Sequence, residues 1–411
     1  MNIALLIARR MQQHKLYKNS VSARIINIAT VAVTLGIAAI LIAVATGKGL
    51  QKEIRNKAAA FNGHITVAPF ENNESQISIL PFQDTQIIRS QIKKQGAIKQ
   101  FNPFAIKAGM LRTDQDFEGI LFKGVASDYG WENLESFLTE GRFPKNDGTT
   151  TNEVFMSSIL AARLSLSVGD RVAAYFQNNS SQRLPYRRTF TIVGLFYSGF
   201  PEVDQNFVYG ALEQLQRLNR WDKEQIGGYE LFLNDISQTD AIATAIYDVL
   251  PSHLDSTSLT ELYSNIFQWI TLFDFNIMVI IIVMIFVGVI NMATALLVLI
   301  LERSRMIGLL KTVGGDNPLI QKIFLYNGIA IMSKGMFWGN LLGLLFYFSQ
   351  DYFGWITLDP ETYYVNKAPV AISFFEVFAI NTLFLVISAL LLWVPSRIIL
   401  KIAPSKVLRS R

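Results

Sequence analysis

The sequence has 411 residues, 51% of them hydrophobic, a mean hydropathy of +0.29 and no cysteine, which excludes disulfides and thiol chemistry. Its net charge of +5 is unevenly spread, because residues 47–274 carry 21 basic and 26 acidic side chains. The excess of basic residues therefore lies in the flanking segments, and the sequence shows no basic patch interleaved with aromatic residues of the kind that binds nucleic acid.

Residues 1–24 contain five Lys and Arg and no acidic residue, with apolar side chains at positions 3, 5, 6 and 7. This pattern predicts an amphipathic helix on the inner membrane surface, although a basic leader that only orients the next segment fits as well. Residues 25–46 are uncharged and predict the first transmembrane helix. Their length exceeds that of a signal-peptide core, so we expect the segment to be retained as an anchor.

Residues 47–274, called the insert domain below, are predicted to form a large α+β domain outside the membrane, made of two subdomains. After a helical extension of the first span, strand patterns alternate with helical ones and show no βαβ rhythm. The predicted strands are 64–69, several in 98–125, 172–176, 189–196 and Tyr229–Leu233, and the predicted helices are 84–95, 133–139, 211–220 and 238–250.

The most readable part of the insert domain is Glu153–Val172, where a strand leads into a short helix and Gly169-Asp170 turns into another strand. The polar residues 177–188 that follow are predicted to form a projecting loop between strands 172–176 and 189–196.

The central feature of the chain is a segment between two apolar runs, residues 302–318, called the elbow below. The second predicted transmembrane helix, 275–301, has 27 uncharged residues, and the third covers 319–350. In the elbow, the spacing of Arg305, Ile307, Leu309, Leu310 and Lys311 predicts an amphipathic helix of one to two turns. We expect Gly314 to end this helix through a positive φ, Asn317 to cap the next helix and Pro318 to begin it.

The remaining elements are a loop at 351–373, a fourth transmembrane helix at 374–394 and a tail at 395–411. The tail has five basic and no acidic residues, the elbow has three basic and two acidic residues, and residues 350–370 have one basic and three acidic. The positive-inside rule therefore predicts that both termini and the elbow are cytosolic.

Gly335, Gly339 and Gly343 recur every fourth residue in the third predicted span, which favours close packing against another helix. Lys334 lies in the same span, where a charge is costly. It must face a cavity, pair with an acidic group or reach the membrane surface, and the sequence leaves these choices open.

No motif for catalysis is present. His14, His64 and His253 lie on separate predicted elements, Gly47-Lys48-Gly49 lacks the spacing of a phosphate loop, and no nucleophile motif occurs. We therefore expect a chain that is not an enzyme and holds no cofactor or metal, with ATP and magnesium bound by a partner.

One span, a large external domain and three further spans joined by a patterned elbow resemble the FtsX-like permease family of ABC transporters, and within it the lipoprotein-releasing (Lol-type) transmembrane subunits. The resemblance covers nearly the whole chain. The stretches that carry it are Ala4–Arg10, Glu153–Val172, Phe190–Gly194 with Ser198-Gly199, Asn291, Glu302–Gly314, Phe324–Gly328, Asp359–Pro369, and Pro395–Arg397 with Ala403–Arg409.

This resemblance implies a multi-pass protein of the bacterial inner membrane with a periplasmic domain of the MacB-like core type. The expected partners are a dimer of a cytosolic ATPase, a second permease subunit (a copy or a homologue), a lipoprotein cargo, membrane lipids and a periplasmic lipoprotein carrier. The elbow would be the coupling segment that contacts the ATPase. The first span would supply an apolar wall for acyl chains through Leu35, Ile40, Leu41, Val44 and Leu50.

Two departures and two alternatives qualify the resemblance. The loop at 177–188 is shorter than the carrier-binding hairpin of the family, and Lys334 stands where the family has a small or apolar residue. An FtsX-type permease that relays movement to a cell-wall hydrolase has a smaller external domain. A macrolide or peptide exporter usually carries its ATPase in the same chain.

Overall fold

A computed structural model of the chain describes residues 3–13, 21–72, 76–96, 98–145, 151–177 and 184–397. Residues 178–183, half of the predicted loop at 177–188, lie outside these ranges, as do part of the leader at 1–24 and the tail motif Ala403–Arg409. The α-helices of the described residues are α1 (Ile3–Gln13), α2 (Val21–Asn62), α3 (Gln86–Lys93), α4 (Ser158–Arg163), α5 (Pro201–Asp204), α6 (Leu212–Asn219), α7 (Thr239–Tyr247), α8 (Leu259–Leu262), α9 (Ser264–Glu302), α10 (Ser304–Thr312), α11 (Asn317–Phe353), α12 (Pro360–Tyr363) and α13 (Phe374–Ser396).

The strands of the described residues are β1 (Ile65–Pro69), β2 (Phe82–Gln83), β3 (Ile98–Arg112), β4 (Phe117–Val125), β5 (Leu138–Gly141), β6 (Glu153–Ser157), β7 (Arg171–Phe176), β8 (Tyr186–Phe196), β9 (Phe207–Ala211), β10 (Gln225–Ile226), β11 (Gly228–Leu233) and β12 (Leu254–Ser258). Within the described ranges, short 3₁₀ helices cover Phe70–Asn72, Trp131–Phe137 and Ile236–Gln238. The chain divides into two compact units. The first, called the membrane unit below, comprises the described residues of 1–52, 269–357 and 367–411, and the second comprises 53–268 and 358–366.

Four helices of the described chain, α2, α9, α11 and α13, are long and apolar enough to cross a membrane. Helices suit this role because hydrocarbon offers no hydrogen-bond partner to the backbone, so each peptide group must be satisfied within its own segment. The four predicted spans are found as helices, and each helix is longer than its predicted span, α2 and α9 by the most. α2 continues past residue 46 to Asn62, and α9 begins at Ser264 rather than Phe275.

The core of the membrane unit joins side chains from all four long helices. Val33 and Ile37 of α2 lie in one apolar cluster with Met292 of α9, Phe324 of α11 and Phe384 of α13. The same unit contains two polar links from the carboxyl-terminal half of α2. Lys48 forms an ion pair with Glu376 of α13, and the Gln51 side chain donates a hydrogen bond to Asp274 of α9 at 2.8 Å.

The insert domain is built on one ten-stranded sheet in a single compact unit, not on the two predicted subdomains. Its main path runs β12-β1-β11-β3-β4-β9-β6-β8-β5, and β7 pairs with both β3 and β8. The fifteen-residue β3 explains this continuity, because it pairs with β11 along its first half and with β7 along its last residues.

The two faces of this sheet differ in chemistry, as the two-residue period of a strand requires. On β1, Ile65 and Val67 enter a large apolar core that is covered by helices such as α3, α6 and α7. Thr66 and Ala68 point to the opposite face, where Glu230 of β11 lies directly across from Thr66. This second face contains polar and charged groups beside the end of α2.

Two predictions for the insert domain need correction. The residues predicted as a helix over 133–139 form the end of a 3₁₀ helix, Trp131–Phe137, and the start of strand β5. Strand β12 was not predicted, because its alternation of Leu254, Ser256 and Ser258 with polar residues has few apolar side chains. The arms predicted at 172–176 and 189–196 are confirmed as β7 and β8, which pair from Arg171 with Thr191 to Phe176 with Tyr186.

His64 is held neutral at the start of β1. Its Nδ1 accepts a hydrogen bond from the amide of Leu233 at 2.9 Å, and the ring is buried. Burial, followed by the positive charges of Arg55 and Lys99, lowers the pKa of His64 from 6.5 to about 4. Protonation of this ring would place a charge where it has no room for water.

We expect the insert domain to lose stability as the pH falls below 6.5. In the unfolded chain His64 binds a proton near pH 6.5, whereas the folded chain binds it only near pH 4, so its contribution is complete above 6.5 and declines down to 4. At pH 5 the loss should be about 2 kcal/mol. Thermal unfolding of the full chain in detergent at pH 7 and pH 5 measures it, with His64→Gln as the control that keeps an acceptor but does not titrate. An equal loss in both proteins would contradict this assignment.

Candidate functional site

The elbow joins α9 to α11 through the short helix α10, and its backbone is fixed at the bend between α10 and α11. α10 ends in a Schellman motif, in which the amide of Gly315 donates to the carbonyl of Leu310 at 2.8 Å and the amide of Gly314 donates to that of Lys311 at 3.2 Å. Gly314 has a φ of +92°, which costs a residue with a side chain about 1–2 kcal/mol. The end of α10 is therefore fixed by backbone geometry.

The start of α11 differs from the prediction. Asp316, not Asn317, is the N-cap, and its Oδ1 accepts a hydrogen bond from the amide of Leu319 at 3.1 Å. Asn317 is the first helical residue and Pro318 the second. The positive end of the helix dipole stabilises a negatively charged cap, so Asp316 is a better N-cap than Asn317.

α10 has a buried face and an exposed face. Ile307 is fully buried in the apolar core of the membrane unit, and Leu310 packs against the same core. Arg305 and Leu309 lie on the exposed face, with Leu309 55% exposed. Val313, which was not among the residues predicted from the sequence, is 87% exposed and continues this face at the spacing 305, 309, 313. Leu309 and Val313 are thus large apolar side chains that face outward and are not buried in the core of the membrane unit. Neighbouring exposed apolar side chains of this kind are typical of a surface that contacts another molecule.

The helix α1 packs beside the elbow. Ala4 and Ala8 are buried against Ile323 of α11, in a small cluster that also includes Leu310 and Tyr326. Small residues on this face of α1 let the two helices come close together. The predicted amphipathic helix therefore exists over 3–13 and supports the helix that follows the elbow.

The glycine stripe of α11 lies against α2. A Cβ added at Gly335 would be 2.8 Å from Cβ of Val33, at Gly339 it would be 2.7 Å from Cβ of Ile37, and at Gly343 it would be 2.9 Å from a methyl group of Leu41. Successive turns of one helix thus meet successive turns of the other.

This packing changes the position of the predicted apolar wall. Ile40, Leu41, Val44 and Leu50 are all buried within the chain and do not form an open surface. Leu35 is 60% exposed. The open face of α2 consists of Ile28, Val31 and Leu35, which share one side at helical spacing. Hydropathy alone could not separate these two sides, since both are equally apolar.

Lys334 lies near the middle of α11 on its exposed side. Phe337, Trp338, Leu341 and Leu345, which are also exposed, follow it along the same side. The charged group is therefore surrounded by side chains that suit lipid or a second protein subunit.

In the second unit, the stretch 198–204 contacts Tyr364, although the two lie far apart in the sequence. The carboxylate of Asp204 accepts hydrogen bonds from the amides of Ser198 and Gly199, at 2.9 and 2.8 Å, and this fixes the turn before Phe200. Burial raises the pKa of Asp204, although these amides oppose the shift. The ring of Phe200 lies 4.9 Å from the ring of Tyr364, whose carbonyl accepts a hydrogen bond from Lys57 of α2 at 3.0 Å.

The end of α2 rests on the second face of the insert-domain sheet. The ammonium of Lys123, on β4, donates to the carbonyl of Phe61 at 2.6 Å and forms an ion pair with Glu230 of β11. Both charged side chains are buried, and burial lowers the pKa of Lys123 and raises that of Glu230. The ring of Phe61 packs against Phe137 and Phe196 at 5.0 and 5.4 Å. The predicted sites did not include this pair.

Comparison with known proteins gives two family matches. The MacB-like periplasmic core domain matches residues 28–248, more than half of the chain, and the FtsX-like permease C-terminal domain matches residues 278–404. Together they cover most of the insert domain and of α9, the elbow, and all of α11 and α13, whereas residues 249–277 lie outside both matches.

The chain is also similar to curated proteins over most of its length. It is 21% identical to the lipoprotein-releasing system transmembrane protein LolE of Haemophilus influenzae over 428 aligned positions, covering 100% of both chains. It is 22% identical to LolC of the same organism, covering 78% of this chain and 77% of that one, and 22% identical to LolC of Neisseria meningitidis serogroup B, covering 92% of each.

We expect Gly339→Leu to reduce the amount of folded protein, because its side chain would overlap Ile37 and the carbonyl of Thr34. Overpacking of this kind costs roughly 1–3 kcal/mol. Size-exclusion chromatography in detergent, with the melting temperature of the recovered peak, measures the effect. Leu342→Ala, on the exposed side of the same helix, is the control. Equal peaks and equal melting temperatures for both variants would contradict the packing role.

Proposed function

Because the chain belongs to the FtsX-like permeases with a MacB-like periplasmic core domain, we propose that it is the transmembrane subunit of a lipoprotein-releasing ABC transporter. In this proposal it extracts lipoproteins from the outer leaflet of the inner membrane and releases them towards the outer membrane. The observation that carries the proposal is the match along the full length of the chain to a protein named for lipoprotein release. FtsX-like permeases are non-catalytic subunits, so the ATP would be hydrolysed by a separate partner.

The elbow supports the coupling to that partner. Leu309 and Val313 present apolar groups and Arg305 a basic one, along α10 and its C-cap, and the bend from α10 into α11 is fixed by the Schellman motif and by the Asp316 cap. A fixed bend allows a push on α10 to reach α11 without being absorbed by a flexible loop. The apolar pair would insert into a groove of a cytosolic ATPase, with ATP and magnesium bound there.

The need for ATP follows from the cargo. Each buried CH₂ group contributes about 0.8 kcal/mol, so removing two or three acyl chains from a membrane costs tens of kcal/mol. Acyl chains leaving the bilayer need an apolar surface to follow. In this chain the open face of α2, with Ile28, Val31 and Leu35, offers such a surface.

A second permease subunit would complete the path. α9 exposes Met278, Ile282, Phe286 and Ile290 along one side at helical spacing, in addition to the exposed side of α11 that carries Lys334. These faces could be covered by a copy of the chain or by a homologue, as in the pairing that the family resemblance implies. A periplasmic carrier would receive the cargo on the outer side.

We expect the double variant Leu309→Asp with Val313→Asp to stay in the membrane at normal abundance but to lose its ATPase partner. Both side chains are exposed, so folding is unaffected, whereas two carboxylates facing an apolar groove should weaken binding by at least about tenfold. Affinity purification in mild detergent, with the co-purified ATPase activity per mole of chain, is the measurement.

Two controls separate docking from folding. Phe117→Asp replaces an exposed apolar side chain of the insert domain with one carboxylate and should keep the ATPase. Ile307→Asp buries a charge in the core of the membrane unit and should lower abundance. Retention of the ATPase by the double variant, or an equal loss with Phe117→Asp, would contradict the coupling role of the elbow.

A further inference from the structure

Lys334 places a positive charge near the middle of the transmembrane helix α11. Its side chain is exposed, and in the described part of the chain no hydrogen bond or ion pair holds its ammonium. On the same side of the helix Phe337 and Trp338 are 65% and 54% exposed, so the charge is set in an apolar surface. A lone ammonium in hydrocarbon is costly, and charged groups at such positions normally pair with a group of opposite charge.

The packing of α11 against α2 gives the depth of Lys334. The adjoining Gly335 meets Val33, since a Cβ added at Gly335 would lie 2.8 Å from the Cβ of Val33. Arg24, the last charged residue before the first span, is nine residues from Val33, a rise of about 14 Å along the helix. The four-carbon stem of a lysine covers less than half of this distance. The ammonium therefore stays within the hydrocarbon, whereas lipid phosphates lie outside it.

The chain itself has no acidic residue at this depth. In the sequence of the four predicted spans Glu376 is the only acidic residue, and it pairs with Lys48 near the start of α13. The side-chain amides of Asn340 and Asn381 exchange hydrogen bonds at 2.7 and 2.8 Å, which aligns α13 with α11. Counted along both helices from this contact, Glu376 lies about 16 Å nearer the outer end than Lys334.

The same distance excludes a second copy of the chain as the source of the carboxylate. Two identical permeases insert with the same topology, so each residue lies at the same depth in both. Glu376 of a copy is therefore as far from the level of Lys334 as Glu376 of the chain itself.

We propose that Lys334 forms an ion pair with an Asp or Glu side chain in a transmembrane helix of a second, non-identical permease subunit. The inference rests on the proposed function, which needs a second permease, and it selects a homologue over a copy. Phe337, Trp338, Leu341 and Leu345 continue the same side of α11 and pack against the partner helix around the pair. A charge pair in this position fixes the choice of partner, because a helix without the carboxylate leaves the ammonium unpaired.

The test is chemical cross-linking of the complex purified from its native membrane in mild detergent. Dicyclohexylcarbodiimide is apolar and activates carboxyl groups inside hydrocarbon. The amine of Lys334 then attacks the activated carboxyl carbon, an amide forms and dicyclohexylurea leaves. We expect mass spectrometry of the digest to show the Lys334 peptide joined to a different chain, at an Asp or Glu within an apolar run of about 20 residues.

Variants separate an ion pair from contact with lipid. Lys334→Met leaves the partner's carboxylate without a cation, so the partner recovered per mole of chain should fall at least about tenfold at unchanged abundance of the chain. Lys334→Arg should keep the partner but lose the cross-link, because a guanidinium keeps the charge and does not form the amide. Lys322→Met removes another exposed lysine of α11 and is the matched control, which should change neither result. Lys334→Glu should lose the partner and regain it when the cross-linked acid of the partner is replaced by Lys.

A cross-link between two copies of this chain, full retention of the partner by Lys334→Met, or no cross-link to another chain would overturn the inference. These measurements need neither ATP nor cargo, so they are separable from the proposed function. A complex of identical copies that releases lipoproteins would overturn the ion pair alone, whereas a cross-linked pair of different permeases that releases none would overturn the proposed function alone.

Discussion

The architecture of the insert domain depends on the buried contacts that the ammonium of Lys123 makes with the carbonyl of Phe61 and the carboxylate of Glu230. The last carbonyls of a helix have no partner within the helix, and they form the negative end of its dipole. At the end of the 42-residue helix α2, a buried ammonium satisfies the carbonyl of Phe61, and the paired carboxylate of Glu230 lowers the cost of burying that ammonium. The helix end is thus connected by charge and hydrogen bonds to two central strands, β4 and β11, and by packing to the aromatic residues around Phe61. Removing either charge would leave the other buried and unpaired, which is strongly destabilising.

The same requirement, a partner for every helix end, determines the bends of the membrane unit. At the elbow the amides of Gly314 and Gly315 satisfy the end of α10, and Asp316 caps the start of α11. At the other end of α11, Gln350 is buried and uses both ends of its side-chain amide. Its nitrogen donates to the carbonyl of Ala368 at 2.9 Å, and its oxygen accepts from the amide of Ile356 at 3.1 Å. Fixed ends of this kind let long helices move as units, which is the property that a permease driven by a separate ATPase needs.

Much of this architecture follows from the sequence. Hydrophobic length gives the four long helices, and the spacing of Arg305, Leu309 and Leu310 with the following glycine gives α10 and its end. Local patterns also give β1, β4, β6, β7 and β11. The features that the sequence could not predict are those that depend on contacts between residues far apart along the chain. The single sheet arises because β3 meets β11 and β7, and no local pattern encodes those pairings.

The sites show the same division between local and distant contacts. Which side of α2 is open depends on where Gly335, Gly339 and Gly343 of α11 approach it, so an apolar wall chosen from hydropathy fell mostly on the packed side. The Lys123 and Glu230 pair had one usable signal: Lys123 is the one basic residue of the largely apolar strand β4, and Glu230 is the one charged residue of β11. Their pairing still required the order of the sheet, since the two residues are 107 positions apart.

Reconstitution of lipoprotein release tests the central claim most directly. The purified chain, with its co-purified ATPase and permease partners, would be placed in liposomes that contain a fluorescent, N-terminally acylated protein and a soluble acceptor of acyl chains. The account predicts that the acylated protein passes from the liposome fraction to the soluble fraction only when ATP and magnesium are present. An assembly that hydrolyses ATP in the same liposomes while the acylated protein stays in the membrane would contradict lipoprotein release as the function of this permease.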